Sequence, residues 1–303
     1  MRNRILIILL FIVGLSLPAA AQTSSALEVS VGGGWSTLGY KVVPTQADIK
    51  GSNSGSWGLQ AHVGYAFFFT PHIGLGIGVD FSHYGANASL SGTARWNDVM
   101  DAEGESYNHL ALIHSLRDQQ DVFMVDIPLT FYFVYPITND LGFNLEVGAR
   151  YGIPVLSKAS YRADIEHQGD YGIWGLNLHD VSGHGFYREP DFRNTYPIAV
   201  RNRIAGFLKL GLTYEINRNV QFFGNIYGDY SFTNVLQGGF SELGFLNDRA
   251  GMEDTHSFMT DYNGILATDN ISDKSHPIQI GVEVGIRFIF PHKQSYPCMC
   301  YSY

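Results

Sequence analysis

The chain has 303 residues, of which 45% are hydrophobic, 16% are charged and 14% are aromatic, and its formal net charge is −9. This composition excludes a disordered chain, because apolar residues are plentiful and charge is modest. The excess of acidic residues excludes a nucleic-acid-binding protein that relies on a basic surface. The 34 glycines and the many aromatic residues favour β-structure over helices.

The first residues predict a secretory signal peptide at 1–21. Arg2 and Arg4 give a positively charged start, 5–13 is an unbroken apolar run, and the alanines at 19–21 offer small residues at a cleavage site. We therefore exclude this segment from the fold and expect the chain to be secreted.

Eight later runs alternate apolar with polar or small residues. In the last run, isoleucine, valine and phenylalanine occupy one parity, and glutamine, glutamate, arginine and glycine occupy the other. Successive side chains of a strand point to opposite faces, so each run predicts a strand with one apolar face. In chain order the runs are 27–35, 57–67, 73–82, 125–133, 141–151, 208–215, 220–230 and 278–288.

Two architectures could use this alternation. A soluble sandwich or barrel turns the apolar face inward, whereas a transmembrane barrel turns it toward lipid. The runs have the length of about 9–11 residues that a tilted strand needs to cross a bilayer. Their apolar parity holds no charged residue, and their polar parity is rich in glycine, which suits a narrow lumen. These features favour the transmembrane barrel.

The connections between the runs alternate in length, which is typical of outer-membrane barrels. We expect tight turns at 70–72, 136–140 and 216–219, and long loops at 38–54, 85–120, 157–199 and 232–275.

Aromatic residues collect at both ends of the runs, where amphipathic rings prefer to lie in a membrane. The long-loop ends carry Trp35, Trp57, Phe81, Tyr151 and Tyr230, and the short-turn ends carry Phe67, Phe69, Phe133, Phe143, Tyr214, Phe222, Phe288 and Phe290.

We therefore predict an all-β protein, a closed antiparallel eight-stranded up-and-down transmembrane β-barrel at 22–290, followed by a tail at 291–303. Closure is required because lipid offers no hydrogen-bond partner to a free strand edge. Pro128 has no N–H to donate, so we expect a bulge or distorted pairing there. In the tail, Cys298 and Cys300 are too close in sequence for an unstrained disulfide.

The layout resembles the eight-stranded OmpA-type outer-membrane barrels over about 27–290. The residues that carry the resemblance are Ile127-Pro128-Leu129, Arg95-Trp96-Asn97-Asp98, Asp101-Ala102-Glu103-Gly104 and His184-Gly185-Phe186. The resemblance implies the outer membrane of a Gram-negative bacterium, with extracellular loops and periplasmic termini. It is a resemblance to the barrel alone, so we expect no periplasmic peptidoglycan-binding domain.

The polar parity carries charged residues that would face the lumen. Charges in a narrow lumen must pair or remain hydrated, so we predict a paired network that plugs the barrel, with Arg150 and Arg287 among its centres. An ion path is the alternative. The predicted network comprises Glu28, Asp80, Asp126, Glu146, Arg150, Arg203, Lys209, Glu215, Asp229, Glu283 and Arg287.

The long loops combine aromatic residues with small polar ones, a composition that suits recognition of proteins or glycans. Loops that only shield the barrel mouth are the alternative. The recognition candidates are Trp96, Tyr107, Tyr171, Trp174 and Tyr187.

Acidic residues also cluster in the second long loop. Asp101, Glu103 and Glu105 could take a divalent cation, but we interpret them as a solvated acidic loop.

Sequence signals for an enzyme are weak. Lipid A deacylase barrels carry a His-x-Ser-Asn stretch, whereas His83 is followed by Tyr84 and by Gly85 in the place of the nucleophile. Omptin-type proteases use ten strands rather than eight. The pairs His109/His114 and His179/His184 have a spacing that does not share a helical face. We expect no catalytic residues, no metal and no cofactor.

The sequence thus favours a non-enzymatic integral outer-membrane protein with a plugged lumen, which serves envelope structure or surface recognition. A narrow diffusion channel and a lipid A deacylase-like barrel are the alternatives. The expected partners are outer-membrane lipid and lipopolysaccharide, with an extracellular protein or glycan as the candidate ligand. No nucleic acid is expected, and the pattern leaves the oligomeric state open.

Overall fold

The computed structural model describes residues 24–42, 48–101, 103–237, 264–266 and 274–291. The expected signal peptide and the tail with Cys298 and Cys300 lie outside these ranges.

Within the described residues the chain forms ten strands and one short 3-10 helix. The elements are β1 (Ser24–Thr37), β2 (Ile49–Phe68), β3 (Ile73–Met100), β4 (Ser106–Pro136), β5 (Leu141–Tyr171), β6 (Leu176–Leu178), the 3-10 helix (Ser182–His184), β7 (Arg188–Pro197), β8 (Arg203–Asn217), β9 (Val220–Ser231) and β10 (Ile278–Pro291).

Eight of these strands close into a ring. Their order is β4-β3-β2-β1-β10-β9-β8-β5, and β5 pairs back to β4. Neighbours are antiparallel throughout, and the first and last strands of the ring meet with Glu28 opposite Arg287. The predicted closed eight-stranded antiparallel barrel is confirmed.

The outer face of the ring is apolar and exposed. Trp57 is 76% exposed and Val282 is 63% exposed, while the charged Glu28 and Arg287 are buried inside. A protein folded in water would bury such a surface, so this face fits contact with hydrocarbon. In the described part of the chain, no helix is long and apolar enough to cross a membrane.

Aromatic residues mark both rims of this apolar band. Trp35 lies directly opposite Trp57 at the long-loop rim, where Phe81, Tyr151 and Tyr230 also point outward. Exposed Phe67, Tyr214, Phe222, Phe288 and Phe290 point outward toward the short-turn rim. The ring between the two rims is the membrane-spanning part.

Three strands continue far beyond the long-loop rim. β3 has 28 residues, and β4 and β5 have 31 each. A strand of that length extends about 100 Å, several times what a bilayer crossing needs. The prediction of long loops at 85–120 and 157–199 was therefore wrong for most of both segments, which are paired strand.

Beyond the rim, β7 replaces β8 as the neighbour of β5. The five strands form a sheet in the order β2-β3-β4-β5-β7. We call this part the distal sheet; it comprises residues 49–55, 83–100, 106–122, 157–171 and 188–197.

The polarity of the two faces is exchanged where the strands leave the membrane. On β3, Phe81 points outward and Asp80 inward below the rim, whereas above it Tyr84 and Leu90 are buried inward and Ser89 points outward. The inward face thus changes from charged to apolar, and the outward face from apolar to polar. This pattern is expected when one continuous strand passes from lipid into water.

The inner face of the distal sheet has a hydrophobic core of its own. Segments 38–42, 198–200, 235–236 and 264–266 contribute to it, with Leu38, Ile198, Val235, Leu236, Ile265 and Leu266 packed among side chains of the sheet. The core is continuous with the barrel, yet it is built as in a water-soluble protein.

Register shifts occur near the level where the polarity changes. One lies between Gly55 and Leu59 of β2, and another lies beside Met124 of β4. The second changes the inward parity of β5, so that Gly152 faces inward below it and Ala159 above it. A bulge of this kind bends a strand and redirects its side chains.

Pro128 does not introduce a bulge of this kind. Ile77 opposite Leu129 and Asp80 opposite Asp126 keep the same register, but the pairs between them are missing from the β3–β4 ladder. Of the two alternatives expected at Pro128, distorted pairing is the one present, because proline supplies no N–H.

Val284→Arg tests lipid contact, because this residue lies midway along β10 with its side chain outward. The charge should lower the free energy of unfolding by about 2–4 kcal/mol, measured by urea titration in lipid vesicles. Thr93→Arg, a change of similar shape on the outward face of the distal sheet, is the control and should have little effect. Equal effects of the two changes would contradict lipid contact at Val284.

Candidate functional site

The lumen brings together nearly all of the charged residues predicted from the sequence. Ten of the eleven are buried inside the ring, and Glu215 is half-buried near the short-turn end. They form two clusters. The aspartate cluster contains Asp80, Asp126, Asp229, Arg150 and Arg203, and the glutamate cluster contains Glu28, Glu146, Glu283, Lys209 and Arg287.

The aspartate cluster lies toward the long-loop rim. Arg203 donates two hydrogen bonds to Asp126, each 3.0 Å long. Arg150 lies 3.5 Å from the carboxylate of Asp80 and 3.3 Å from that of Asp229. A fork-to-fork arginine–carboxylate pair holds both side chains in one orientation.

The glutamate cluster lies nearer the short turns. Lys209 Nζ is 2.8 Å from Glu283, and Arg287 bridges Glu28 and Glu146. Glu146 is opposite Lys209 in the β5–β8 ladder, whereas Glu283 reaches Lys209 from β10. The contacts therefore join strands that are not neighbours as well as strands that are paired.

Aromatic rings complete the filling of the lumen. Tyr84 donates a hydrogen bond of 2.5 Å to Asp229, and Tyr132 donates one of 2.5 Å to Glu28. Arg203 lies over the ring of Tyr84 at 4.4 Å, and Arg287 over that of Tyr132 at 5.3 Å. The eight-stranded ring thus encloses a polar interior filled by side chains.

Sequence reasoning missed further partners of these clusters, which are neither carboxylates nor lysine or arginine. His62 hydrogen-bonds to Asp80, and Gln60 accepts a hydrogen bond from Arg150. The available signal was parity: both residues alternate with the apolar residues of their run, and His62 is directly opposite Asp80. A search restricted to Asp, Glu, Lys and Arg could not find them.

The aromatic recognition candidates lie mostly inside the distal structure. Tyr107 and Tyr171 are buried and stack at 5.0 Å, with Phe186 against Tyr107 at 5.4 Å. Their rings pack a small core and are not accessible to a ligand. The prediction that Tyr107 and Tyr171 contact a ligand is therefore wrong. Trp174, 57% exposed, stacks on Tyr171 at 5.5 Å and is the most exposed of these three rings.

The remaining two candidates are half-buried. Trp96 packs against His109 with ring centroids 5.2 Å apart, and Tyr187 lies beside the buried Phe186. Neither ring is as accessible as that of Trp174.

The acidic loop is held by its own backbone. Asp101 accepts hydrogen bonds from the N–H groups of Glu103 and Glu105 and from the hydroxyl of Tyr171. Burial acts to raise the pKa of Asp101, but these hydrogen bonds outweigh it and lower the pKa. Among the described residues, no group of three or more His, Cys, Asp or Glu could hold a metal ion.

Histidines pair differently from their sequence spacing. His109 lies 2.7 Å from His167 on the neighbouring strand, whereas His114 is exposed and bonds to Glu166. Burial, aided by the neighbouring His109, lowers the pKa of His167 to about 3. His167 is therefore neutral at physiological pH.

The surroundings of His83 do not form a hydrolase site. His83 bonds to Asp121 at 3.0 Å and packs against Phe123 at 4.5 Å. No serine or threonine hydroxyl bonds to it among the described residues.

The chain matches the family model of the outer membrane protein beta-barrel domain over residues 20–237. It is similar in structure to Neisserial surface protein A, with 9% identity, a TM-score of 0.33, and coverage of 88% of this chain and 97% of that chain. OprG from Pseudomonas aeruginosa matches with 10% identity, a TM-score of 0.35, and coverage of 89% and 96%. The outer membrane protease OmpT from Escherichia coli matches with 10% identity, a TM-score of 0.30, and coverage of 90% and 98%. No curated protein sequence matches the chain.

Removing a lumen arginine should destabilise the barrel. Arg150→Ala and Arg287→Ala each remove a buried guanidinium that contacts two buried carboxylates, which should lower the free energy of unfolding by about 3–5 kcal/mol. Urea titration in vesicles measures this. Arg188→Ala, which removes an exposed pair with Asp164, is the control and should change little. Unchanged stability in both lumen variants would contradict the network.

The histidine pair should make stability depend on pH. His167 binds its proton with a pKa of about 3 in the folded chain and near 6.5 when unfolded, so stability is retained above pH 6.5 and declines as pH falls toward 3. The slope in this window is about 1.4 kcal/mol per pH unit for one proton. Urea midpoints at pH 7 and pH 5 should therefore differ less in His167→Gln than in the parent. The exposed His184→Gln is the control, and an unchanged difference in His167→Gln would refute the assignment.

Proposed function

Because this chain belongs to the family of outer membrane protein beta-barrel domains, we propose that it is a non-enzymatic surface protein of the Gram-negative outer membrane. Its barrel holds the chain in the membrane, and its distal sheet stands outside the cell and serves recognition. The exchange of polarity along β3 carries this proposal, because it commits a folded body to water at one end of the barrel.

Several features support the orientation. β1 begins at Ser24, opposite Phe68 and Pro291, so both described ends of the chain lie at the short-turn end. Outer-membrane barrels keep short turns in the periplasm and longer segments outside. The distal sheet then lies at the extracellular surface.

The filled lumen supports a structural role for the barrel rather than conduction. Arg150, Arg203 and Arg287 are fully buried and each contacts at least one carboxylate. A permeating ion would have to separate these pairs in a medium of low dielectric constant, which is costly. The barrel therefore acts as a wall that supports the distal sheet.

A labelling experiment in intact cells tests the orientation. Cys298 and Cys300 are first changed to serine. In that background, Asn97→Cys places a thiol near the distal end of β3, and Asn139→Cys places a thiol in a short turn. A membrane-impermeant maleimide should label position 97 in intact cells and position 139 only after the outer membrane is permeabilised. Labelling of position 139 alone in intact cells would overturn the proposal.

A further inference from the structure

The outward face of the distal sheet carries a cavity of about 830 Å³. All five strands, β2, β3, β4, β5 and β7, contribute side chains to it, from Ser52 at one side to Arg193 at the other. Five adjacent strands span about 19 Å, so the cavity is an elongated groove. We call it the arginine groove.

Strand register places three arginines side by side in this groove. Arg117 of β4 is opposite Arg162 of β5, and Arg162 is opposite Arg193 of β7. The same row continues through Ser89 and Ser52. Like charges directly opposite each other destabilise strand pairing, so the sheet alone gives no reason for this arrangement.

Two acidic residues, Asp191 beside the groove and the buried Asp118 in its lining, offset only part of this charge. Asp191 bonds to Arg193 with distances of 3.0 and 2.9 Å and also contacts Arg162. Arg117 is exposed and has no hydrogen bond or ion pair within the described residues. A chain of net charge −9 therefore presents a local excess of positive charge in one concave site.

The neighbouring row of the groove is polar and uncharged. This row lies two residues away from the arginine row on each strand. It consists of Ser54, Asn87, Gln119, Ser160 and Thr195, which the strand register places opposite one another. Hydroxyl and amide groups both donate and accept hydrogen bonds, as the hydroxyl groups of a sugar require. Guanidinium forks bind carboxylates with two parallel hydrogen bonds.

We propose that the arginine groove binds an acidic oligosaccharide, with its carboxylates on Arg117 and Arg162 and its hydroxyl groups on the polar row. The length of the groove suits a chain of several sugars rather than a single small anion. The two rows hold no exposed aromatic ring on which nucleic-acid bases could stack, which disfavours single-stranded nucleic acid. This inference rests on the proposed recognition function and names its ligand class.

Calorimetric titration of the purified full-length protein in phosphatidylcholine vesicles with hexagalacturonate tests the proposal. The double variant Arg117→Gln/Arg162→Gln should raise Kd at least tenfold, because two charge-assisted contacts are lost. Its thermal stability should be equal or higher, since repulsion between neighbouring strands is relieved. Arg188→Gln on the same strand as Arg193, where the arginine is already paired with Asp164, is the control and should bind as the parent does.

The uncharged maltohexaose should bind far more weakly than hexagalacturonate, and binding should weaken with salt. If added lipopolysaccharide competes with hexagalacturonate, the natural ligand comes from the sugars of the same membrane. If it does not compete, the natural ligand is a polysaccharide of the surrounding medium. Absence of binding by the parent protein, or equal binding by the double variant, would overturn the proposal. Because the assay uses purified protein, that failure is separate from a failure of the proposed orientation, which the labelling of intact cells decides.

Discussion

The structure depends on the requirement that backbone N–H and C=O groups be paired within the hydrocarbon. Lipid cannot hydrogen-bond them, so the ladder must return on itself, and β1 must meet β10 along its whole length. Closure by eight strands leaves an interior of side-chain width. That width brings Arg287, Glu28 and Glu146 into direct contact.

The same ladder continues past the membrane while its surroundings change. Within the membrane, the charged side chains point into the narrow lumen and must pair with each other there. Beyond the long-loop rim, apolar side chains such as Leu90 and Ile113 point inward and must be covered by other apolar side chains. One set of strands meets both demands because period-two alternation fixes only which residues share a face. Short bulges, such as the one beside Met124, adjust the parity near the level where the demands reverse.

The membrane-spanning part could be predicted because its signal is local. Runs such as 57–67 carry their alternation within a few residues, and the turn at 70–72 is flanked by strands on both sides. The distal strands escaped detection because their apolar parity is weak: Ala86, Ala88 and Ala94 contribute small side chains, and bulges interrupt the alternation. The inward placement of the charged residues could be predicted from parity. Their partners could not, because Lys209 on β8 and Glu283 on β10 meet over the intervening strand β9, and the pattern of a single run does not show which strands lie side by side.

The continuity of β3, β4 and β5 from one rim of the membrane to the distal tip has a mechanical consequence. No hinge or linker separates the distal sheet from the barrel along these described strands, so a force applied to the distal sheet is transmitted directly into the barrel wall. Tension along such strands loads many rungs of the ladder together rather than peeling them one by one. The distal sheet and the barrel wall therefore form one mechanically continuous body along these strands.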